Sequence, residues 1–157
     1  MPALPRTAWL EIDLDALRGN LATVRDAAGP GVRVEPVVKA DAYGHGAVPV
    51  GLALQDAGAD GLSVATLDEA FELREAGISV PVLVLYPVPP DQVAAAAAAN
   101  VAVTLGSGTL LRRILDAAGM AAASGAPLLE VHLEVETGLG RGGVLPADAR
   151  LAIHAVL

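Results

Sequence analysis

The chain has 157 residues, 54 % of them hydrophobic, and no cysteine, which excludes disulfides and thiolate metal sites and fits a reducing cytoplasm. A formal net charge of −8 disfavours phosphate-backbone binding, and no basic or aromatic cluster offsets it, so nucleic acid is not an expected partner. Met1 to Arg6 contains two prolines and no apolar run, so no secretory leader is expected, and no stretch is long enough to span a bilayer.

Leu10, Ile12 and Leu14 alternate with Glu11, Asp13 and Asp15, predicting a short strand-like lead-in before a helix that includes Leu17, Leu21 and Val24. Apolar runs then predict strands over Arg33 to Lys39, Gly61 to Ala65, Val80 to Tyr86, Val101 to Leu105 and Leu129 to Glu136. Helical patterns fall between them, at Ala47 to Ala57, Leu67 to Ala76, Asp91 to Ala99 and Thr109 to Ala123, with a last one over Pro146 to Leu157. Thr66 and Glu69 have capping-box spacing, Pro89-Pro90 marks a helix start, and Gly58, Gly77 and Gly119 fall where helices stop or weaken. Alternating strands and helices imply βα units around a parallel sheet.

Lys39 is the only lysine; the remaining nine of the ten cations are arginine. An amine loses its proton when desolvated and can form a Schiff base with a carbonyl, which a guanidinium cannot. A lone lysine in an arginine-rich chain is a weak signal by itself. Its place at the end of a predicted strand, where α/β proteins carry their reactive groups, strengthens it.

Lys39-Ala40-Asp41-Ala42-Tyr43-Gly44-His45-Gly46 resembles the pyridoxal phosphate attachment motif of the alanine racemase family. A second segment, from Val131 to Val144, resembles that family's strand ending in a Thr-Gly turn and an arginine. The similarity runs from about Thr7 to the last residue. Glu136 stands where the family usually has aspartate and Leu139 where it has methionine.

The resemblance implies an α/β fold, a (β/α)8 TIM-type barrel of which residues 1–157 hold about the first five βα units. The rest of the barrel and a β-rich C-terminal domain would lie outside this chain, since such a barrel needs about 250 residues. Five strands leave two sheet edges unpaired, so the piece alone is expected to be aggregation-prone or only partly folded, and inactive. The implied activity is a pyridoxal 5′-phosphate-dependent racemase interconverting L- and D-alanine and supplying D-alanine for peptidoglycan, cytoplasmic and homodimeric when complete. A racemase for another amino acid such as serine, or a non-catalytic pyridoxal phosphate carrier on a single barrel, are the alternatives.

By the same resemblance Lys39 anchors the cofactor and carries one of the two protons. A tyrosine from a second subunit, outside this chain, would carry the other. Tyr43 matches the tyrosine that contacts the cofactor phosphate. Val37 and Leu85 match positions lining the cofactor pocket, though core packing accounts for both equally well. Arg141, after the Thr137-Gly138-Leu139-Gly140 turn, matches the arginine that positions the substrate carboxylate, for which a guanidinium fork is suited. Glu134 stands where many relatives carry a carbamylated lysine beside that arginine, and it would supply the same negative charge directly.

His45 belongs to the motif, while His132 and His154 lack the spacing of a metal site, so no metal is expected. Gly106-Ser107-Gly108 has a weak likeness to a dinucleotide loop, but the third glycine and the acidic ribose ligand are not in place.

Overall fold

The computed structural model describes residues 7–106 and 108–156. The Met1 to Arg6 segment, Ser107 of the glycine pair and the last residue of the predicted terminal helix, Leu157, lie outside the described residues. Helix α1 spans Leu14–Ala28 and starts at Asp13, whose carboxylate accepts from the Asp15 and Ala16 amides. After a turn over Lys39–Gly44 (α2) come α3 (Ala47–Asp56), β1 (Leu62–Val64), α4 (Leu67–Glu75), β2 (Val82–Val84) and α5 (Val93–Ala98). Then follow β3 (Val101–Leu105), α6 (Gly108–Ala123), β4 (Val131–Leu133) and α7 (Pro146–Val156).

The four strands form one parallel sheet in chain order, β1-β2-β3-β4, with helices in the crossovers. Parallel neighbours require such crossovers, and a sheet covered by them is apolar on both faces. Leu62, Val64, Val82, Val84, Val101, Val103 and Leu105 are accordingly buried, against Ala70 and Leu73 of α4, Ala96 of α5 and Ile114 of α6. The strand at the sheet's end, β4, is less covered: Val131 and Leu133 are half-buried and His132 is exposed.

Four of the five predicted strands are therefore present. The fifth, over Arg33 to Lys39, is corrected: it forms only an isolated bridge, Val37 to Ser63. The segment does run beside β1, with Val38 N donating to Ser63 O and Ser63 N to Pro36 O. Pro36 has no N–H to give a ladder, and the chain reverses its backbone handedness just past Lys39, so regular pairing cannot extend. Asp60 fixes the start of this segment, accepting from Val34 N at 2.7 Å and from Arg25 at 2.9 Å. Those two bonds, the amide first, hold its carboxyl below the usual range. The strand-like lead-in is corrected too. Residues 8–13 form no strand, Leu10 is 83 % exposed, and no described strand lies beside it to satisfy its amides.

The helices match expectation with small shifts. Asp91 to Ala99 divides into a 3-10 turn, Pro90–Gln92, and α5, while α6 passes through Gly119 without stopping. Arg74 near the end of α4 is half-buried and donates to four carbonyls, Ala99, Ile78, Val80 and Asn100, at 2.7–3.0 Å. Burial lowers its pKa, yet the fork joins α4 to the loops before β2 and β3. An ammonium cannot span four carbonyls from one point. Arg74→Lys is expected to lower the unfolding free energy by about 1.5–3 kcal/mol, read as a shifted urea midpoint at unchanged slope.

Candidate active site

Val38 is fully buried beside β1, and directly after Lys39 the backbone turns left-handed: Ala40, Asp41, Ala42 and Tyr43 have φ of 52–56°. A left-handed turn costs an L-residue roughly 1–2 kcal/mol per position, so four in succession need outside support. Ala42 N donates to Val38 O, Gly46 N to Asp41 O, and His45 Nδ1 lies 2.8 Å from Ala42 O. The Asp41 carboxylate accepts from Ala47 N at 2.7 Å and so caps α3. The motif's aspartate and histidine thus hold the turn itself. At the other end, Ala40 N donates to Glu69 Oε1 at 2.7 Å.

Lys39 lines a cavity of about 760 Å³, within the size range of small-molecule sites, together with Leu83, Leu85, Tyr86, Thr104, His132, Glu134 and Arg141. Strand alternation accounts for much of the sheet's share of this lining. Leu83 and Leu85, Thr104 and Gly106, His132 and Glu134 are pairs two residues apart, so each pair shares one face of the sheet. Lys39 Nζ sits 5.3 Å from the centroid of the Tyr86 ring, a cation–π contact.

Of the residues expected from sequence, the structure brings Lys39, Leu85, Glu134 and Arg141 to this one cavity. Tyr43, 61 % exposed, lies on the left-handed turn, and Val37 bridges Ser63; neither lines the cavity. Glu134 is packed against two glycines: a Cβ on Gly106 would come 2.5 Å from Glu134 Oε2, and one on Gly142 would come 3.2 Å from it. Among the described residues Arg141 has no ion-pair partner within 4.0 Å, so its guanidinium is available to an anion.

Glu136 organises the loop that carries Arg141. Its carboxylate accepts from Gly138 N and, at 2.8 Å, from Gly140 N, and these backbone donors, Gly138 first, hold its pKa below the ordinary value. A folded-state pKa below the unfolded one favours the ordered loop at neutral pH, and this contribution is lost as pH falls through the folded value. The amide protons of Gly138 and Gly140 are therefore expected to titrate together below the ordinary glutamate range, and Glu136→Gln to abolish that titration in an NMR pH series.

Tyr86 and Glu69 were not among the expected site residues. Tyr86 ends a predicted strand next to Leu85, and at a strand's C-terminal end that position was a usable signal. Glu69 was recognisable only as a helix cap, because the partner of its second oxygen lies 29 residues away.

A family model described as "Alanine racemase, N-terminal domain" matches residues 12–157. Alanine racemase of Desulforamulus reducens is 44 % identical over 144 residues, 92 % of this chain and 38 % of that protein. Alanine racemase 1 of Bacillus subtilis is 40 % identical over 152 residues, again 38 % of its length. Among solved structures, alanine racemase from E. faecalis superposes with a TM-score of 0.83 at 38 % identity, covering 91 % of this chain and 38 % of its own. Alanine racemase from Bacillus anthracis with bound L-Ala-P gives 0.82 at 34 % identity, covering 98 % and 38 %. The chain spans 38 % of the length of each of these relatives. With the match extending over residues 12–157, the chain belongs to the alanine racemase N-terminal domain family and forms the first part of its TIM-type barrel.

Proposed function

We propose that these residues form the lysine side of a pyridoxal 5′-phosphate-dependent racemase that interconverts L- and D-alanine. The observation that carries the reading is the single lysine of the chain lining a cavity with Arg141, which has no ion-pair partner among the described residues, in a member of this family. The donor set suits the cofactor, an amine for its aldehyde and cationic and hydroxyl groups for anionic oxygens. Bound there, pyridoxal phosphate supplies an electron sink that acidifies the substrate Cα–H.

Lys39 would hold the cofactor through Nζ, and its amine is the group placed to move a proton at the substrate Cα. Arg141 binds the substrate carboxylate through its planar fork. Glu134, in the same cavity though not at ion-pair distance, supplies negative charge near Arg141, and Leu85 walls the cofactor. Tyr43 and Val37 lie outside that cavity, so the roles proposed for them, donating to the phosphate and flanking the cofactor, rest on the family resemblance alone. The proton carrier on the opposite face is proposed to be a tyrosine of a second subunit, outside these residues, which makes the complete protein a homodimer. The reading places it in the cytoplasm, supplying D-alanine to the cell wall. The matched relatives, alanine racemases, do not favour a non-catalytic carrier.

The test is to incubate the chain with pyridoxal phosphate, reduce with borohydride and locate the added mass by peptide mapping. One phosphopyridoxyl group at Lys39 near stoichiometric cofactor is expected. Label at the N-terminal amine alone, the one competing amine, would overturn the assignment of Lys39.

A further inference from the structure

The capping box of α4 occupies one oxygen of the Glu69 carboxylate. Oε2 accepts from Ala65 N at 2.7 Å and from Thr66 N at 3.4 Å, which completes the helix start. A cap needs nothing further from that side chain. Yet Oε1 is also taken, by Ala40 N at 2.7 Å, the amide that leaves Lys39 and enters the left-handed turn. The circuit closes on the amine itself: the Ala65 carbonyl accepts from Tyr86 N at 3.1 Å, and the Tyr86 ring stands 5.3 Å from Lys39 Nζ.

From this circuit we propose that Glu69 is a positioning residue for Lys39, clamping the Lys39–Ala40 peptide with one oxygen and the Ala65–Tyr86 support of its amine with the other. The inference rests on the reading of Lys39 as the cofactor lysine. A lysine side chain has four rotatable bonds, so the direction of its base decides where the amine spends its time. The turn that sets this direction is strained at Ala40, with φ of 52°, and the bonds of Asp41 and His45 that hold the rest of the turn do not reach the Ala40 amide. A charged acceptor makes a stronger bond to the Ala40 amide than a neutral one would, and its second oxygen ties that bond to the sheet. Displacement of a reacting group by an ångström is worth up to about a hundredfold in rate.

The experiment compares the wild-type chain with Glu69→Gln, Thr66→Ala and the double variant Glu69→Gln/Ala40→Gly. The glutamine side chain keeps the shape but offers one acceptor oxygen, and the helix start, with two donors at Ala65 and Thr66 against one at Ala40, retains it, so the Ala40 amide loses its partner. Thr66→Ala weakens the same helix start without touching Ala40. The first readout needs no cofactor and is the hydrogen-exchange protection of the Ala40 amide by NMR. The second is the ratio of borohydride-fixed pyridoxal phosphate at Lys39 to that at the N-terminal amine. Glu69→Gln is expected to remove the Ala40 protection and lower the ratio about tenfold or more, of the order that a sub-ångström misplacement produces. Thr66→Ala is expected to leave both unchanged even where it lowers the melting temperature. A glycine in place of Ala40 takes the left-handed conformation without strain, so the double variant is expected to recover part of the ratio.

Unchanged Ala40 protection in Glu69→Gln, a ratio lowered equally by Thr66→Ala, or no recovery on adding Ala40→Gly would each overturn the clamp. Should the wild-type chain take no label at Lys39, the cofactor reading fails. The Ala40 exchange then decides alone whether Glu69 holds the turn.

Discussion

Lys39→Arg is expected to abolish the borohydride-fixed cofactor adduct at position 39 while leaving the unfolding midpoint unchanged. This change separates charge from nucleophilicity. Arginine keeps a cation over the Tyr86 ring, where the contact with Lys39 Nζ is 5.3 Å, and guanidinium groups are the commoner partners of aromatic faces. It stays protonated at every accessible pH and does not condense with an aldehyde. Lys39→Ala is expected to lose the adduct equally, and with it the ring contact, worth about 0.5–1 kcal/mol at a half-exposed site. Because the chain has no other lysine, the N-terminal amine serves as an internal reference in each digest. A total label in Lys39→Arg equal to that of wild type, all of it on the terminal amine, would mean that Lys39 takes no cofactor. Loss of label together with a lowered midpoint would instead mean that the arginine disturbs the fold, and the alanine variant then separates the two.

The sequence made the sheet readable because its strands are short continuous apolar runs closed by turn residues, and helices of a different periodicity lie between them. Where it misled, a local pattern lacked a tertiary partner. The alternation of Leu10, Ile12 and Leu14 suits a strand, but nothing described pairs with it, and Leu14 opens α1 instead. Arg33 to Lys39 is apolar enough for a strand, but Pro36 interrupts the donors and the next peptide reverses hand. That reversal has no compositional signature. Ala40, Asp41, Ala42 and Tyr43 contain no glycine, and all four would be accepted in a right-handed helix. What imposes the other hand is a set of tethers from elsewhere, Glu69 on Ala40 and Asp41 on Ala47.

The same distinction runs through the site. Lys39 was legible from the eight-residue motif it opens, and Arg141 only from the resemblance of the segment from Val131 to Val144. The wall between them follows from the parallel register, which aligns Thr104 with His132 and carries Gly106 and Glu134 onto the same face two residues later. Tyr86 carried a signal in its place at a strand's C-terminal end, but a weak one, because an aromatic residue there reads equally as core. The second partner of Glu69 was hidden because no spacing rule connects residues 29 apart in sequence.

Gly143→Ala is expected to be among the most damaging single changes in this chain, lowering the unfolding free energy by about 3–5 kcal/mol. Gly143 has φ of 100°, and a Cβ there would fall against the Glu136 amide nitrogen and 2.8 Å from the Val135 carbonyl carbon. Both neighbours are backbone and cannot rotate away. They also belong to the closure of the Arg141 loop, where Val144 N donates to Glu134 O at 2.8 Å and Glu136 N to Val144 O at 2.9 Å. Forcing this crossing apart breaks the Val135–Val144 bridge and frees the loop between them, so the expected loss reaches Arg141 as well as stability. Gly140→Ala is the comparison that isolates the cause. Gly140 has φ of 73° but nothing within 4 Å of a would-be Cβ, so it bears conformational strain alone, about 1–3 kcal/mol. Urea denaturation of the two variants therefore measures the steric closure as their difference. Equal midpoints would mean that the loop can open at Gly143 without cost, and that the placement of Arg141 depends on Glu136 and its backbone donors instead.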